Sequence, residues 1–327
     1  MKGCLMDRIP NKPKRIDLKL GFVCNNLCIH CVQGDRRLTF GDKSLIQLKD
    51  ELREGRKFCD EAVFTGGEPT LHKNFLELVC YAKDLGYRLI QIQSNCRLFA
   101  YRDFCVKTIN CGANLFSPAL HGYVAKIHDY ITGTPHSFEQ TVLGIFNIKS
   151  LGKNIAMNTV ISKINYRSLP ELAKLLINLD VDQFQLAFPH PTGRAGQNFN
   201  LVIPRLKNIM PYVKRALEIG IKANKTVMTE GIPLCFMSGF ESYIAEIRIP
   251  KTKVFDADYE IEDYNYYRIT KAKTKGAKCT KCCHYEYCEG PWKEYPEHFG
   301  WSEFIPVKSR GKNKKSYSPL KVGEYLK

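Results

Sequence analysis

IDLKLGFVCNNLCIHC, residues 16–31, joins a strand-like run directly to three closely spaced thiols. Its first half, IDLKLGFV (16–23), is short and of β type, and Cys24, Cys28 and Cys31 follow without a break. Runs of the same kind recur outward along the chain: DEAVFTGG (60–67), RLIQIQSN (88–95), NLFSPALHG (114–122), NIAMNTVIS (154–162) and QFQLAFPH (183–190). Their length, β-branched and aromatic content and flanking turn residues predict buried strands. The segments between them carry helical period. Phe75, Leu78, Val79 and Ala82 form one apolar stripe, and Leu172, Leu175, Leu176 and Leu179 form another. Gly86 and Gly152 stand where helices should stop, because glycine takes the left-handed conformation without Cβ strain. Ser137 and Gln140 fit a capping box. Strands alternating with helices predict an α/β fold of parallel units with right-handed crossovers. Periodicity leaves a doubly wound sheet and a full or partial barrel equally open.

The thiols of CNNLCIHC have C-x3-C-x2-C spacing. A [4Fe–4S] cube normally takes four thiolates, so three in one loop leave one iron open to a further ligand. A structural zinc loop is the bland alternative, but it wants C-x2-C and a second pair, and no second pair lies close in sequence. His30 is not needed as a ligand, since Cys31 beside it fills that place.

Combined with TGGEPT (65–70) at the end of the second strand, this loop resembles the signature of the radical S-adenosylmethionine (SAM) enzymes. The resemblance extends to about residue 200 and implies a partial (β/α)6 TIM-like barrel, with cluster and SAM at the C-terminal edge of the strands, where barrel chemistry generally sits. It implies that the turn of Gly66, Gly67, Glu68 and Pro69 holds the SAM amino group. Two glycines permit close main-chain approach and the proline stiffens the turn. By position it makes Ser94 and Asn95 candidate SAM contacts, with Ser117 and Asn158 as further ones. Thr132 departs from the pattern, because many relatives carry arginine there. The implied chemistry is reductive cleavage of SAM on the open iron, giving methionine and a 5′-deoxyadenosyl radical that abstracts a substrate hydrogen.

A second thiol group, Cys279, Cys282, Cys283 and Cys288, lies in KCTKCCHYEYCEGPW (278–292), and Cys235 stands alone in GIPLCFM (231–237). C-x2-C-x5-C with a remote cysteine offers four thiolates, Cys235, Cys279, Cys282 and Cys288. A structural zinc site and free thiols are the bland readings. The tract also resembles the C-terminal twitch or shortened SPASM appendage of radical SAM proteins, which implies a second, auxiliary [4Fe–4S] cluster. Cys283 is read as packing, since adjacent thiols seldom ligate one cube. Cys4, Cys59, Cys80, Cys96, Cys105 and Cys111 are assigned no function, because cysteine is often buried as a small hydrophobe, with Cys96 set apart because it follows Asn95.

These motifs divide the chain into an N-terminal extension (1–15), a barrel (16–230), a cysteine-rich appendage (231–306) and a basic tail (307–327). The appendage contains the tyrosine- and charge-rich run KVFDADYEIEDYNYYRITKAK (253–273), which has no clean period. The 327 residues carry a formal net charge of +16, which steers acidic partners. The N-terminus has no apolar stretch of a secretory signal, and no apolar run approaches the roughly 20 residues that span a bilayer. Cytoplasm is therefore the expected compartment and no membrane partner is expected. Expected partners are an electron donor such as flavodoxin or ferredoxin and a peptide or protein substrate. With the first thiols already at residue 24, leader recognition is expected to need a separate protein. The alternatives are radical chemistry on a nucleotide or other small-molecule precursor, and a non-catalytic basic Fe–S or zinc protein that binds nucleic acid. A mere binder would not need the GGEP turn.

Overall fold

The computed structural model describes residues 13–308, so Cys4 and all but the first residues of the basic tail lie outside the described residues. Nine strands are present among those described: β1 (Arg15–Lys19), β2 (Glu61–Thr65), β3 (Leu89–Ser94), β4 (Leu115–Pro118), β5 (Asn154–Val160), β6 (Gln183–Ala187), β7 (Thr226–Glu230), β8 (Thr252–Phe255) and β9 (Glu260–Ile261). The helices are α1 (Arg36–Thr39), α2 (Leu45–Arg56), α3 (Phe75–Asp84), α4 (Arg102–Asn110), α5 (Ala125–Thr132), α6 (Ser137–Ser150), α7 (Leu169–Asn178), α8 (Gly193–Gln197), α9 (Phe199–Val202), α10 (Leu206–Lys222), α11 (Tyr264–Tyr267) and α12 (Glu294–Phe299). None of these helices is long and apolar enough to cross a membrane.

The strands form one sheet in the order β7-β6-β5-β4-β3-β2-β1-β8-β9. From β7 through β8 every pairing is parallel, and only β9 runs antiparallel. All six strands expected from the sequence are there. β7, β8 and β9 are additions, and the last two arise in the tyrosine-rich stretch that shows no period. Laid flat, seven strands would hold β1 and β7 roughly 29 Å apart. Arg15 on β1 nevertheless feels the charge of Glu230 on β7, so the sheet is curled into a partial barrel. The ladder does not close. Ile244 bridges to Thr229 on one side of the gap, Thr252 pairs with Arg15 on the other, and the chain between them crosses.

Strand alternation separates two faces. Ile16, Leu18, Phe64, Ile92, Phe116, Ile155, Met157, Phe184 and Leu186 are buried under the helices. The two predicted stripes meet them: Phe75, Leu78, Val79 and Ala82 are buried on α3, as are Leu172 and Leu176 on α7, with Leu175 and Leu179 partly buried. Full burial of a leucine, valine or phenylalanine in these stripes contributes about 2 kcal/mol by leaving water, and Ala82 less. The opposite face carries Arg15, Asp17, Gln91, Asn158, Gln185 and Glu230, so the inside of the partial barrel is polar. Gly86 (φ +85°) and Gly152 (φ +69°) end α3 and α6 in the left-handed conformation, as expected.

Two local expectations are corrected. The N-terminus of α6 is not closed by a capping box. Asp129, from the last turn of α5, accepts the main-chain N–H groups of His136 (2.9 Å) and Phe138 (2.7 Å) and the Ser137 hydroxyl (2.8 Å). An ionised carboxylate is a stronger acceptor than a hydroxyl, and the short α5–α6 turn delivers it there. Gln140 turns away to accept from Arg97 Nε at 2.6 Å. Secondly, Cys80 and Cys111 are not isolated packing residues but are bonded to each other, tying α3 to the end of α4.

Candidate metal centre and ligand cleft

The first thiol loop leaves β1 at the C-terminal edge of the sheet, and its main chain is tied down on every side. Gly67 N–H donates to Gly21 O and Glu68 N–H to Val23 O, both at 2.8 Å, which stitches the GGEP turn to the run entering Cys24. Leu27 N–H donates to Thr132 O (2.7 Å) and Ile29 N–H to Ile131 O (3.0 Å) at the end of α5. On α8, Arg194 gives its own N–H to Cys31 O (2.9 Å) and its Nη1 to Leu27 O (2.8 Å). Asn198 Nδ2 reaches Ile29 O at 3.0 Å. Arg97 Nη1 reaches both Asn25 O and, at 3.0 Å, Asn26 Oδ1. With the backbone satisfied, the three thiols are what the loop has left to offer a metal.

Those thiols are partly buried and close enough to influence one another. Burial pushes Cys24 up to about 11, against the Asn26 amide on its sulfur, which lowers it, and with smaller raising contributions from Glu68 and Cys31. Cys28 is raised further by burial, then by Cys24 and Cys31. Three converging thiols suit a [4Fe–4S] cube bound through three irons, and loading it must displace protons. Among the described residues no three His, Cys, Asp or Glu side chains enclose a position for one metal ion. A cube puts each thiolate on its own iron, so its ligands stand farther apart than those of a single tetrahedral ion.

His30 points away from the thiols into a buried group with His121 (centroids 4.5 Å apart), which in turn stacks on His128 at 5.7 Å. Burial pushes His30 and His128 each down to about 4, so all are neutral near pH 7. His121 Nδ1 accepts from Val160 N–H at 3.2 Å, and His128 Nδ1 accepts from His121 N–H at 3.0 Å. These rings pack behind the loop.

The GGEP turn has a different logic from the one the sequence suggests. A Cβ on Gly66 (φ +136°) would lie 2.3 Å from Gly21 O, and one on Gly67 would lie 2.4 Å from Val23 O. Both glycines are required by the chain's own backbone, whatever else approaches. Glu68 is 3% exposed, and its carboxylate accepts from Thr70 Oγ1 (2.6 Å), Thr70 N–H (3.2 Å), Ser94 Oγ (2.7 Å) and Asn95 N–H (2.7 Å). Pro69 opens a short 3-10 turn behind it. The turn and the end of β3 are therefore one unit. Asn95 extends that unit to the thiol loop, giving Nδ2–H to Asn25 Oδ1 at 2.6 Å. Ser117 accepts from Gln91 at 2.7 Å. Asn158 differs from the others, because its Oδ1 is buried inside the partial barrel with no partner among the described residues. A free buried acceptor costs stability unless a ligand's donor meets it, so Asn158 fits a SAM contact best on geometry.

The sequence reading overlooked Arg97, Asn25, Arg194 and the Thr132 carbonyl, which hold the loop. Only Arg97 left a trace, by following SNC (94–96) directly. It also overlooked the charges between β1 and β7. Arg268, 1% exposed, grips Glu289 through Nε (2.9 Å) and Nη2 (2.6 Å). Its Nη1 stands 3.7 Å from Glu230 Oε1, while Glu230 Oε2 accepts from Gln185 at 2.5 Å. Asp17 is bonded to Thr65 at 2.5 Å, yet burial raises its carboxyl.

At the other end of the chain, Cys235 sits in a 3-10 turn just past β7, and Cys279 in another at Ala277–Lys281. Burial pushes Cys235 up to about 12, and Cys288, Cys282 and Cys279 add to it in that order, so the fold draws these four thiols together. Cys282 Sγ accepts from Val307 N–H (3.4 Å), and Cys283 is exposed. The lobe is closed at its base by Thr274 N–H to Pro291 O and Lys293 N–H to Ala272 O, both 3.0 Å.

A curled parallel sheet with a three-thiol loop at its C-terminal edge defines a partial-barrel protein built to hold a cluster beside a small ligand. Residues 18–176 match the model of the Radical SAM superfamily, and the chain carries a radical SAM domain. It is 32% identical over 176 residues to an AdoMet-dependent heme synthase of Oleidesulfovibrio alaskensis, covering 53% of this chain and 45% of that protein. It is 28% identical over 195 residues to a probable GTP 3′,8-cyclase of Saccharolobus islandicus, covering 58% of this chain and 61% of the cyclase. This chain thus spans less than two thirds of either relative. Among solved structures, Streptococcus suis SuiB bound to S-adenosylmethionine superposes with a TM-score of 0.65 at 16% identity, over 95% of this chain and 78% of that one. SuiB bound to its precursor peptide SuiA gives 0.64 at 15% identity, over 96% and 78%. At such identity the likeness is one of fold.

Proposed function

We propose that this chain is a radical SAM enzyme that cleaves SAM reductively and takes a hydrogen atom from a peptide or protein side chain. The observation that carries the reading is the stitching of the thiol loop to the GGEP turn and the end of β3. It makes one rigid platform out of three segments that each offer ligands. The cluster and SAM, when bound, supply the one-electron chemistry, and a donor such as flavodoxin or ferredoxin supplies the electron. Cys24, Cys28 and Cys31 bind the cluster. Arg97, Arg194 and the Thr132 carbonyl fix the loop that bears them. Gly66, Gly67, Glu68, Pro69, Ser94, Asn95, Ser117 and Asn158 form the SAM-binding edge, with Asn158 offering a free acceptor and the rest shaping the cleft. Cys235, Cys279, Cys282 and Cys288 hold an auxiliary [4Fe–4S] cluster.

The peptide reading is supported by the charges inside the barrel. Arg268 is matched by Glu289 and Glu230, and Arg15 by Asp17 and Glu61. A nucleoside triphosphate needs an excess of cations there, whereas a peptide amide can be met by paired donors and acceptors such as Arg268 Nη1 and Glu230 Oε1. The likeness to cyclases keeps a nucleotide or other small precursor as the second reading. The deciding experiment is anaerobic reconstitution, then dithionite and SAM, with 5′-deoxyadenosine measured by mass spectrometry. Its formation by the parent and its loss in Cys24→Ala/Cys28→Ala/Cys31→Ala is the expected result. A parent that binds iron but yields none overturns the proposal.

A further inference from the structure

Lys163 follows β5 by three residues, on the same edge of the sheet that carries the thiol loop. It borders a cavity of about 340 Å³ lined also by Arg167, Arg205, Asn208, Tyr166 and Phe299. This volume lies within the usual range for ligand pockets. Two of its cations are mounted on rings: the Arg167 guanidinium lies 4.7 Å from the Tyr166 centroid and that of Arg205 lies 4.4 Å from Phe299. A guanidinium restrained on an aromatic face is preorganised, and its N–H edge stays available to a planar anion.

Little within the protein neutralises these charges. Arg167 and Lys163 have no carboxylate partner among the described residues; Lys163 Nζ donates only to Asn200 O, at 2.7 Å. Arg205 is paired with Glu303 at 3.6 Å, a carboxylate that also accepts from Tyr295 Oη (2.5 Å) and Lys207 N–H (3.0 Å), so one carboxylate stands against the three cations of the cavity. The first amide of α10 is also taken, with Leu206 N–H on Tyr295 Oη at 2.8 Å, so the side chains and not the helix end make the site.

We infer that this cavity binds an acidic polypeptide segment, with carboxylates on the Arg167 and Arg205 forks and the Asn208 amide on the main chain between them. The rings favour peptide over nucleic acid or nucleotide. Their outward faces are covered by guanidinium groups, and elsewhere Tyr166 meets Tyr212 (5.4 Å) and Phe299 meets Tyr295 (5.0 Å) and Phe199 (5.2 Å). These contacts already occupy much of both rings, which disfavours base stacking on them, while the guanidinium forks match carboxylates. The inference deepens the peptide reading above and rests on it for the link to catalysis: a segment held on this rim would keep the rest of its chain at high effective concentration near the barrel mouth.

The test is fluorescence anisotropy with a labelled peptide of alternating glutamate and leucine, about ten residues long, against the full chain and the variant Lys163→Glu/Arg167→Glu. Both replaced side chains are exposed, and melting curves will verify the fold. Expected are at least tenfold weaker binding by the variant, a similar loss when glutamine replaces glutamate in the peptide, and weaker binding with Arg205→Lys, which keeps the charge and loses the fork. Equal binding by parent and variant, no binding by the parent, or displacement by GTP or a short oligonucleotide at lower concentration than by unlabelled peptide would each overturn it. 5′-Deoxyadenosine formation without substrate should be unchanged in Lys163→Glu/Arg167→Glu, so failure here is distinguishable from failure of the radical SAM reading.

Discussion

The Glu68 carboxylate accepts the Asn95 main-chain N–H at 2.7 Å, joining the turn after β2 to the end of β3 inside the protein. Replacing Glu68 by Gln puts a donor where only acceptors serve and leaves at least one buried donor unpaired. We expect a loss of about 2–3 kcal/mol, read as a lowered denaturation midpoint. Weaker SAM binding should accompany it in equilibrium dialysis. An unchanged midpoint would show that the junction does not depend on this carboxylate.

Arg97 should matter to the metal more than to the fold. Its guanidinium holds Asn25 O and Asn26 Oδ1 between the first two thiols. Arg97→Ala should melt within a few degrees of the parent yet lose iron faster to a chelator. Retention of iron at the parent rate would mean that Arg194 and the end of α5 suffice.

Asp256, past the end of β8, pairs with Lys19 of β1 and with Arg36 of α1, and its side chain is 1% exposed. Burial alone would raise its carboxyl, but the bonds from Arg36 and Lys19 outweigh burial and hold it well below the usual range. A depressed folded-state pKa gives stability that is full above the unfolded value of about 3.9 and is lost as pH falls toward the folded value. Asp256→Asn should therefore cost about 3 kcal/mol at pH 7, with the gap from the parent narrowing below pH ~4. Urea midpoints across pH 3–7 measure this, and a gap that stays constant with pH would refute it.

The distal thiols give a metal prediction. The variant lacking Cys24, Cys28 and Cys31 should keep about four irons and an absorbance near ~400 nm if Cys235, Cys279, Cys282 and Cys288 hold a cube. One zinc and no colour would make that site structural.

The strands around the thiols were legible because each is a short apolar run flanked by turn residues. Even the stops at Gly86 and Gly152 could be read. β8 was not, because Lys253 interrupts it and its partner, β1, lies far away in sequence. No local pattern records such a pairing. The thiols announced themselves by spacing, whereas the groups that hold them did not. Arg97, Arg194 and Asn198 are ordinary polar residues until the fold aims them. The capping box failed for a related reason: Ser137 and Gln140 match the pattern, but Asp129 is the stronger acceptor and the α5–α6 turn brings it there first.

The pairing of β8 with β1 also bears on how the protein is made. Arg15 Nε reaches Thr252 across 237 positions of sequence, and Lys19 waits equally long for Asp256. On the ribosome the thiol loop emerges early, while the strand that flanks β1 and the carboxylate that anchors α1 come more than 200 residues later. Such late, non-local closure slows folding and leaves the edge of β1 uncovered in the meantime. The groups that tie down the thiol loop, the last of them Asn198, are by contrast all made before that edge is covered.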